Sequence, residues 1–206
     1  MDRSAALLIV DIQNDFLPGG ALAVPGGDAV IPTINRVALH FEKIVLTQDW
    51  HPPGHISFAS SHPGKSPYAS IDLPYGKQVL WPDHCVQGTY GARFADRLAV
   101  PQAQAVIRKG FHSHSDSYSA FLEADRKTPT GLAGLLRERG VTTVYLSGLA
   151  LDFCVAWSAL DARAAGFEAI VIEDACRAID THGSLEAALR AFDSAGVRRI
   201  GSDALV

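Results

Sequence analysis

At 206 residues with 48% hydrophobic content, the chain is long enough to bury one full core, and nothing in its length asks for a second domain. Its 18 Lys and Arg against 22 Asp and Glu give a formal net charge of −4 with no basic stripe to follow a phosphate backbone, so nucleic acid is not an expected partner. No apolar run approaches the ~20 residues of a membrane helix, the start MDRSAALLIVDIQNDF lacks a basic leader or cleavage site, and cysteines 85, 154 and 176 form no disulfide framework; together these predict a cytoplasmic, reducing setting.

Residues 5–10 (AALLIV) are a continuous apolar run that ends at Asp11, the pattern of a buried parallel strand with a carboxylate at its C-terminal tip. The Gly/Pro-rich stretch IQNDFLPGGALAVPGG reads as a loop. A helix is predicted over 28–41, with Asp28 as cap or first-turn acid, Val30, Ile34, Val37 and Phe41 on one face, and Pro32 near the first turn, where proline is tolerated. A second strand over 43–48 (KIVLTQ) ends in Asp49, Trp50 and His51. The next stretch, roughly 50–104, is rich in Pro, Gly, Ser and His, and a loop of that length in a compact domain is either functional or disordered. His55, Trp81, His84 and its other aromatic and apolar residues favour function.

Residues 105–108 form a short third strand with Lys109 at its tip, and 111–130 return as a loop over the same end. A helix over 131–139, closed by Gly140, leads to a strand over 142–146. The turn SGLALD then carries the chain into a helix with Val155, Ala159 and Ala162 at helical spacing. A fifth strand over 168–172, a helix over 184–195 ended by Gly196, and a sixth strand over 197–201 complete the chain. Apolar strands alternating with helices predict an α/β fold: one domain over 1–206, an open, six-stranded, mostly parallel sheet with helices on both faces.

Ligands of such sheets bind beyond the carboxyl ends of the strands, and Asp11, Asp49, Lys109 and Cys154 all fall there. Cys154 sits where strand becomes helix, where free amides and the helix dipole lower a thiol pKa and hold a developing oxyanion. A Cys in an apolar helix is equally a plain packing residue. With Asp11 to take its proton and Lys109 to keep Asp11 ionised it becomes a nucleophile; otherwise Asp11 and Lys109 are an ordinary ion pair at a loop edge. Asp49 and His51 lie two apart at a strand end and can point the same way, with His84 and His55 arriving from the long loop. A carboxylate with two imidazoles leaves open positions on a first-row metal ion, although scattered loop histidines are as readily solvated. Phe16, Trp81 and Tyr118 either wall a pocket for a flat ring or form the local core of their loops. Cys85 and Cys176 read as structural, and Asp152 and Asp174 as caps or loop anchors.

Five segments in order, DIQNDF (11–16), DWHPPGHISF (49–58), WPDHC (81–85), RKG (108–110) and SGLALDFCV (147–155), resemble the nicotinamidase (pyrazinamidase) family of the isochorismatase-like cysteine hydrolase superfamily across nearly the whole chain. The resemblance implies an amidohydrolase of NAD salvage that converts nicotinamide and water to nicotinic acid and ammonia through a Cys154 thioester, and accepts pyrazinamide. It makes Cys154 the nucleophile, Asp11 the general base and Lys109 their partner, with a cis Leu149–Ala150 peptide and an oxyanion hole from the Ala150 and Cys154 amides. Asp49, His51 and His84 match the metal ligands, and His55 a position that ligates in only some members; Zn2+ is the expected ion, with Fe2+ and Mn2+ as alternatives. Phe16 and Trp81 match the residues that sandwich the pyridine ring, with Tyr118 and Leu22 placed beside them. Gln13 and Asn14 come with the motif and have no account from the sequence. Carbamoyl-group hydrolases and isochorismatases, the rivals within the superfamily, mostly lack this metal set. A metal-dependent binding module on the same fold would have no need of Asp11, Lys109 and Cys154 together.

Overall fold

Every residue of AALLIV is buried, so this run has no solvent face and belongs in the middle of a sheet covered on both sides. The computed structural model, which describes residues 2–205, places it there. The strands are β1 (Ala5–Val10), β2 (Ile44–Asp49), β3 (Ser70–Leu73), β4 (Gly76–Val79), β5 (Ala105–Lys109), β6 (Thr143–Leu149), β7 (Glu168–Arg177) and β8 (Arg198–Ile200). The α-helices are α1 (Ile31–Ala38), α2 (Leu132–Glu138), α3 (Ala156–Ala164) and α4 (Ser184–Ala195). Six strands form one sheet in the order β5-β2-β1-β6-β7-β8, every neighbouring pair parallel.

Successive side chains of β1 serve opposite faces, as a pleated strand requires. Leu7 and Ile9 pack with Ile31, Ile34, Val37 and Ala38 of α1, while Ala6, Leu8 and Val10 pack with Leu132 and Leu136 of α2, Ala159 and Ala162 of α3, and Phe192 of α4. Helices therefore cover both faces, giving three layers.

The strand order has its switch point beside β1. The chain runs outward through β2 and β5, returns to pair β6 with the other side of β1, and runs outward again through β7 and β8. The crevice between the carboxyl ends of β1 and β6 is where such a sheet receives a ligand. Close approach of the two strands is secured at Gly148, opposite Val10, with φ +118°; a Cβ there would overlap the Val10 backbone.

Several boundaries differ from expectation. The helix predicted over 28–41 is a 3₁₀ turn, Gly27–Val30, followed by α1, which stops at Ala38. Asp28 is a first-turn acid and caps nothing, and Phe41 stays buried without being helical. Pro32 falls in the first turn, as predicted. Strand β6 continues to Leu149 and β7 to Arg177, both beyond their predicted ends. The stretch read as irregular contains an antiparallel hairpin, β3 paired with β4, whose four-residue strands carry only one short alternation, Ile71 and Leu73, too brief to set a period. Among the described residues no helix is long and apolar enough to cross a membrane.

Candidate active site

The tips of β1, β5 and β6 bring Asp11, Lys109 and Cys154 together. Lys109 Nζ lies 2.8 Å from Asp11 Oδ2 and 3.4 Å from Cys154 Sγ, donates to Ser117 O at 3.1 Å, and bonds to Asp49 Oδ1 at the tip of β2. All four side chains are buried. Asp11 Oδ1 accepts the Thr47 hydroxyl at 2.6 Å, while Oδ2 faces the Lys109 ammonium and has no other donor. Burial pushes the Cys154 thiol well above its usual range, and Asp11 and Asp49 add to this against the pull of Lys109. Burial likewise raises the Asp11 carboxyl despite Lys109, which strengthens Asp11 as a base. For Lys109 burial acts downward, but the two carboxylates hold it well above the usual lysine value. The resting chemistry is a neutral thiol beside an ammonium shared by two carboxylates.

Cys154 lies in a π-helical turn, Leu151–Val155, between β6 and α3. The Leu149–Ala150 peptide is cis, and Ala150 O accepts from Phe153 N and Val155 N, both at 3.1 Å. The Cys154 amide belongs to a first helical turn, where N–H groups lack a carbonyl one turn behind them.

Asp49, His51 and His84 each bring a ligand atom into one cluster, all within 4.8 Å of one another. His51 Nδ1 donates to Gly110 O at 2.8 Å and His84 Nδ1 to Pro82 O at 2.8 Å. A carbonyl only accepts, so both rings carry a proton on Nδ1, which leaves Nε2, 3.6 and 3.8 Å from Asp49 Oδ2, as the nitrogen that can ligate. Two buried carboxylates share one ammonium, so the cluster also carries surplus negative charge that a cation would offset. Donor set, tautomers and charge all fit a divalent metal ion. His55 lies outside this trio and brings a ring nitrogen into a neighbouring cluster with His51 and Asp116. Its Nε2 bonds to His112 O and Ser115 O at 3.0 and 3.1 Å, its Nδ1 to the Ser57 hydroxyl at 2.7 Å, and its ring lies 4.4 Å from that of His51.

Phe16, Leu22, Trp81 and Tyr118 line one cavity together with Asp49, His84, Ala150 and Cys154. The apolar wall and the polar ends thus share one space, the usual makeup of a small-molecule site. Phe153, Ile179 and Asp116 also line it and went unnoticed in the sequence. Phe153 sits beside the nucleophile and was open to detection; Ile179 comes from the segment after β7, which carried no motif.

The residues of DIQNDF that sequence left unexplained are anchors. Gln13 Nε2 donates to Asp49 O and Gln13 Oε1 accepts from Asp49 N, both at 2.8 Å, so one carboxamide grips both sides of the Asp49 backbone. Asn14 Nδ2 holds Tyr90 O at 3.0 Å, and Asp15 Oδ2 accepts the Cys85 amide at 2.7 Å, next to His84. Asp152 accepts from Ile179 N, Asp180 N and the Ser184 hydroxyl, and Asp174 from the Ser202 amide and hydroxyl, the loop-anchoring roles expected of them. Cys85 and Cys176 are free thiols, buried away from one another's chemistry.

The model of the isochorismatase domain matches residues 5–203. The nicotinamidase of Acinetobacter baylyi is 59% identical over 97% of this chain and 94% of its own length. Among solved structures, an Acinetobacter baumanii nicotinamidase/pyrazinamidase superposes with a TM-score of 0.99 at 59% identity, covering 100% of both chains. A Pyrococcus horikoshii pyrazinamidase solved with zinc does so at 0.79 and 37% identity, covering 96% of this chain and 99% of that one. With nearly the whole chain matched, and the switch-point crevice filled as described, this protein belongs to the isochorismatase family, in its nicotinamidase/pyrazinamidase group.

Proposed function

We propose that the protein is an amidohydrolase that converts nicotinamide to nicotinic acid and ammonia in NAD salvage, and pyrazinamide to pyrazinoic acid. The observation that carries this reading is a buried thiol 3.4 Å from an ammonium that also pairs with Asp11, opening on a cavity walled by aromatic rings. Cys154 gives its proton to Asp11 Oδ2 and its sulfur attacks the carboxamide carbon. The Ala150 and Cys154 amides hold the oxyanion that forms. As it collapses, Asp11 returns the proton to the departing nitrogen, releasing ammonia and leaving a thioester on Cys154. Asp11 then takes a proton from water, whose oxygen attacks the thioester. Collapse expels the Cys154 sulfur, the proton returns to it, and nicotinic acid leaves. Lys109 keeps Asp11 ionised before each transfer and faces the sulfur when it is charged.

Phe16 and Trp81 hold the ring between them, with Leu22 and Tyr118 beside it. Asp49, His51 and His84 would hold a divalent ion, with His51 oriented by the Gly110 carbonyl and His55 packed against its ring. Bound there, the ion supplies a Lewis-acid seat for the ring nitrogen. Zinc is the first choice because the Pyrococcus horikoshii pyrazinamidase was solved with it, and the same donors suit iron and manganese. Three buried free thiols suit a reducing cytoplasm.

The test is ammonia release from nicotinamide by the metal-loaded protein, beside Cys154→Ala and a chelated sample. Release by the wild type that vanishes in both controls is the expected result. No release from the loaded wild type would sink the reading.

A further inference from the structure

Gln78 is the one fully buried residue of the β3–β4 hairpin, in which Ile71, Leu73 and Val79 are half-buried and the other strand residues exposed. The Gln78 side chain reaches the wall of the ring cavity. Its Nε2 lies 2.8 Å from Asp116 Oδ2, 3.1 Å from Tyr118 Oη and 2.7 Å from Val79 O, so its two N–H groups are shared among three acceptors, and its Oε1 accepts the Tyr75 hydroxyl at 3.0 Å. A carboxylate only accepts, so Asp116 fixes which end of the amide faces the wall. Tyr118 Oη also receives the Trp81 indole N–H at 2.9 Å. Two N–H donors therefore converge on one phenol oxygen and join the two rings at a right angle, 84° between planes.

Behind this wall lies a second cleft of about 180 Å3, lined in part by Tyr75, Gln78, Tyr118, Glu123 and Trp157. Tyr118 borders both spaces. We propose that Gln78 is a positioning residue that holds the Trp81–Tyr118 wall between the ring cavity and this second cleft, and so confines the substrate to a single six-membered ring. The inference rests on reading the cavity as the nicotinamide pocket. Gln78 touches no reacting atom; without it, nothing on the hairpin holds the Tyr118 hydroxyl, and the wall can yield towards the cleft.

The test compares wild type, Gln78→Ala and Tyr118→Phe with nicotinamide and with quinoline-3-carboxamide, the same carboxamide carrying a fused second ring. In Gln78→Ala the KM for nicotinamide rises about tenfold with kcat within about threefold, the size of one buried hydrogen bond lost from a binding wall. The preference for nicotinamide over the bicyclic amide falls by a similar factor, a change that simple loss of stability would not produce. Tyr118→Phe, which removes the shared acceptor, moves both quantities the same way and carries the test if Gln78→Ala fails to fold. A folded Gln78→Ala or Tyr118→Phe with unchanged KM and unchanged preference overturns the proposal. Wild type that releases no ammonia from nicotinamide tells against the functional reading instead. The wall is then judged without substrate, by the Trp81 indole N–H resonance: it shifts in both variants if the network holds the ring, and an unmoved resonance overturns the proposal.

Discussion

Gln13 gives both ends of its carboxamide to the backbone of Asp49, and Asp49 in turn faces Lys109 with one oxygen and the two imidazoles with the other. Burial alone would raise the Asp49 carboxyl, but Lys109 and His51 overcome that and hold it well below the usual range, so it stays charged and able to ligate. Gln13→Leu keeps the volume and removes the grip. It is expected to weaken metal binding by about 10- to 100-fold, the ordinary effect of losing a residue that orients a ligand, with an unchanged circular dichroism spectrum; retained metal after competition with a chelator would contradict this. His55 makes a separate prediction. Burial, with His51 adding to it, lowers His55 from 6.5 to about 4. Between those two values the unfolded chain binds the proton and the folded one does not, so stability must fall as pH drops from about 6.5 towards 4. The slope from this one group is at most ~1.4 kcal/mol per pH unit, and it should be absent in His55→Gln when thermal unfolding of the two proteins is compared across that window.

The elements explain which parts of this arrangement could be read in advance. Asp11, Asp49, Lys109 and Cys154 were legible because each ends an apolar run or opens a helix, and strand tips are where a parallel sheet delivers chemistry. Gln13 was not legible, because its partner lies 36 residues away and pairs through backbone atoms that carry no sequence signature. The hairpin was not legible for a related reason: its strands are four residues each, only Gln78 is fully buried, and the half-buried Ile71 and Leu73 are too few to set a period. Gly26, at φ +65°, and Gly27 delay the start of α1, and its early end is a tightening to three-residue bonds, His40 N to Val37 O and Phe41 N to Ala38 O, although the apolar spacing runs on to Phe41. Gly148 shows how strictly two elements depend on one residue. Ala at this position would need φ +118° and would press its Cβ into the Val10 backbone. Gly148→Ala is expected to cost more than ~3 kcal/mol or to prevent folding, since backbone on a central strand cannot move aside; a soluble variant with wild-type melting behaviour would refute the close approach of β1 and β6. Asp152→Ala acts on the other side of the same turn. It frees the Ile179 and Asp180 amides and the Ser184 hydroxyl at the start of α4, for a loss of about 1–3 kcal/mol, and a raised KM because Ile179 lines the cavity.

For the whole molecule, the site exists only when distant pairings are complete. Ala5 pairs with Thr143 and Asp49 with Lys109, and the imidazoles of the candidate metal site arrive from the long segment between β2 and β5. An ion held by Asp49, His51 and His84 would therefore bind the folded chain far better than the unfolded one, and should stabilise it by about 2.7 kcal/mol at a free concentration 100 times its dissociation constant. For a chain of this length that corresponds to a rise in Tm of roughly 5–10 °C. Chelation should remove the rise and zinc restore it, measured by differential scanning calorimetry in the absence of substrate. His84→Ala should show almost none of it. Cys154→Ala sharpens the assignment, because Asp11, Asp49 and Cys154 form a second cluster of potential ligand atoms around the same aspartate. If the ion sits with the imidazoles, Cys154→Ala keeps the full zinc-dependent shift while losing all activity. If the shift disappears with the thiol and survives in His84→Ala, the ion belongs to the nucleophile cluster, and the ligand roles given to His51 and His84 pass to Asp11 and Cys154, with Asp49 common to both.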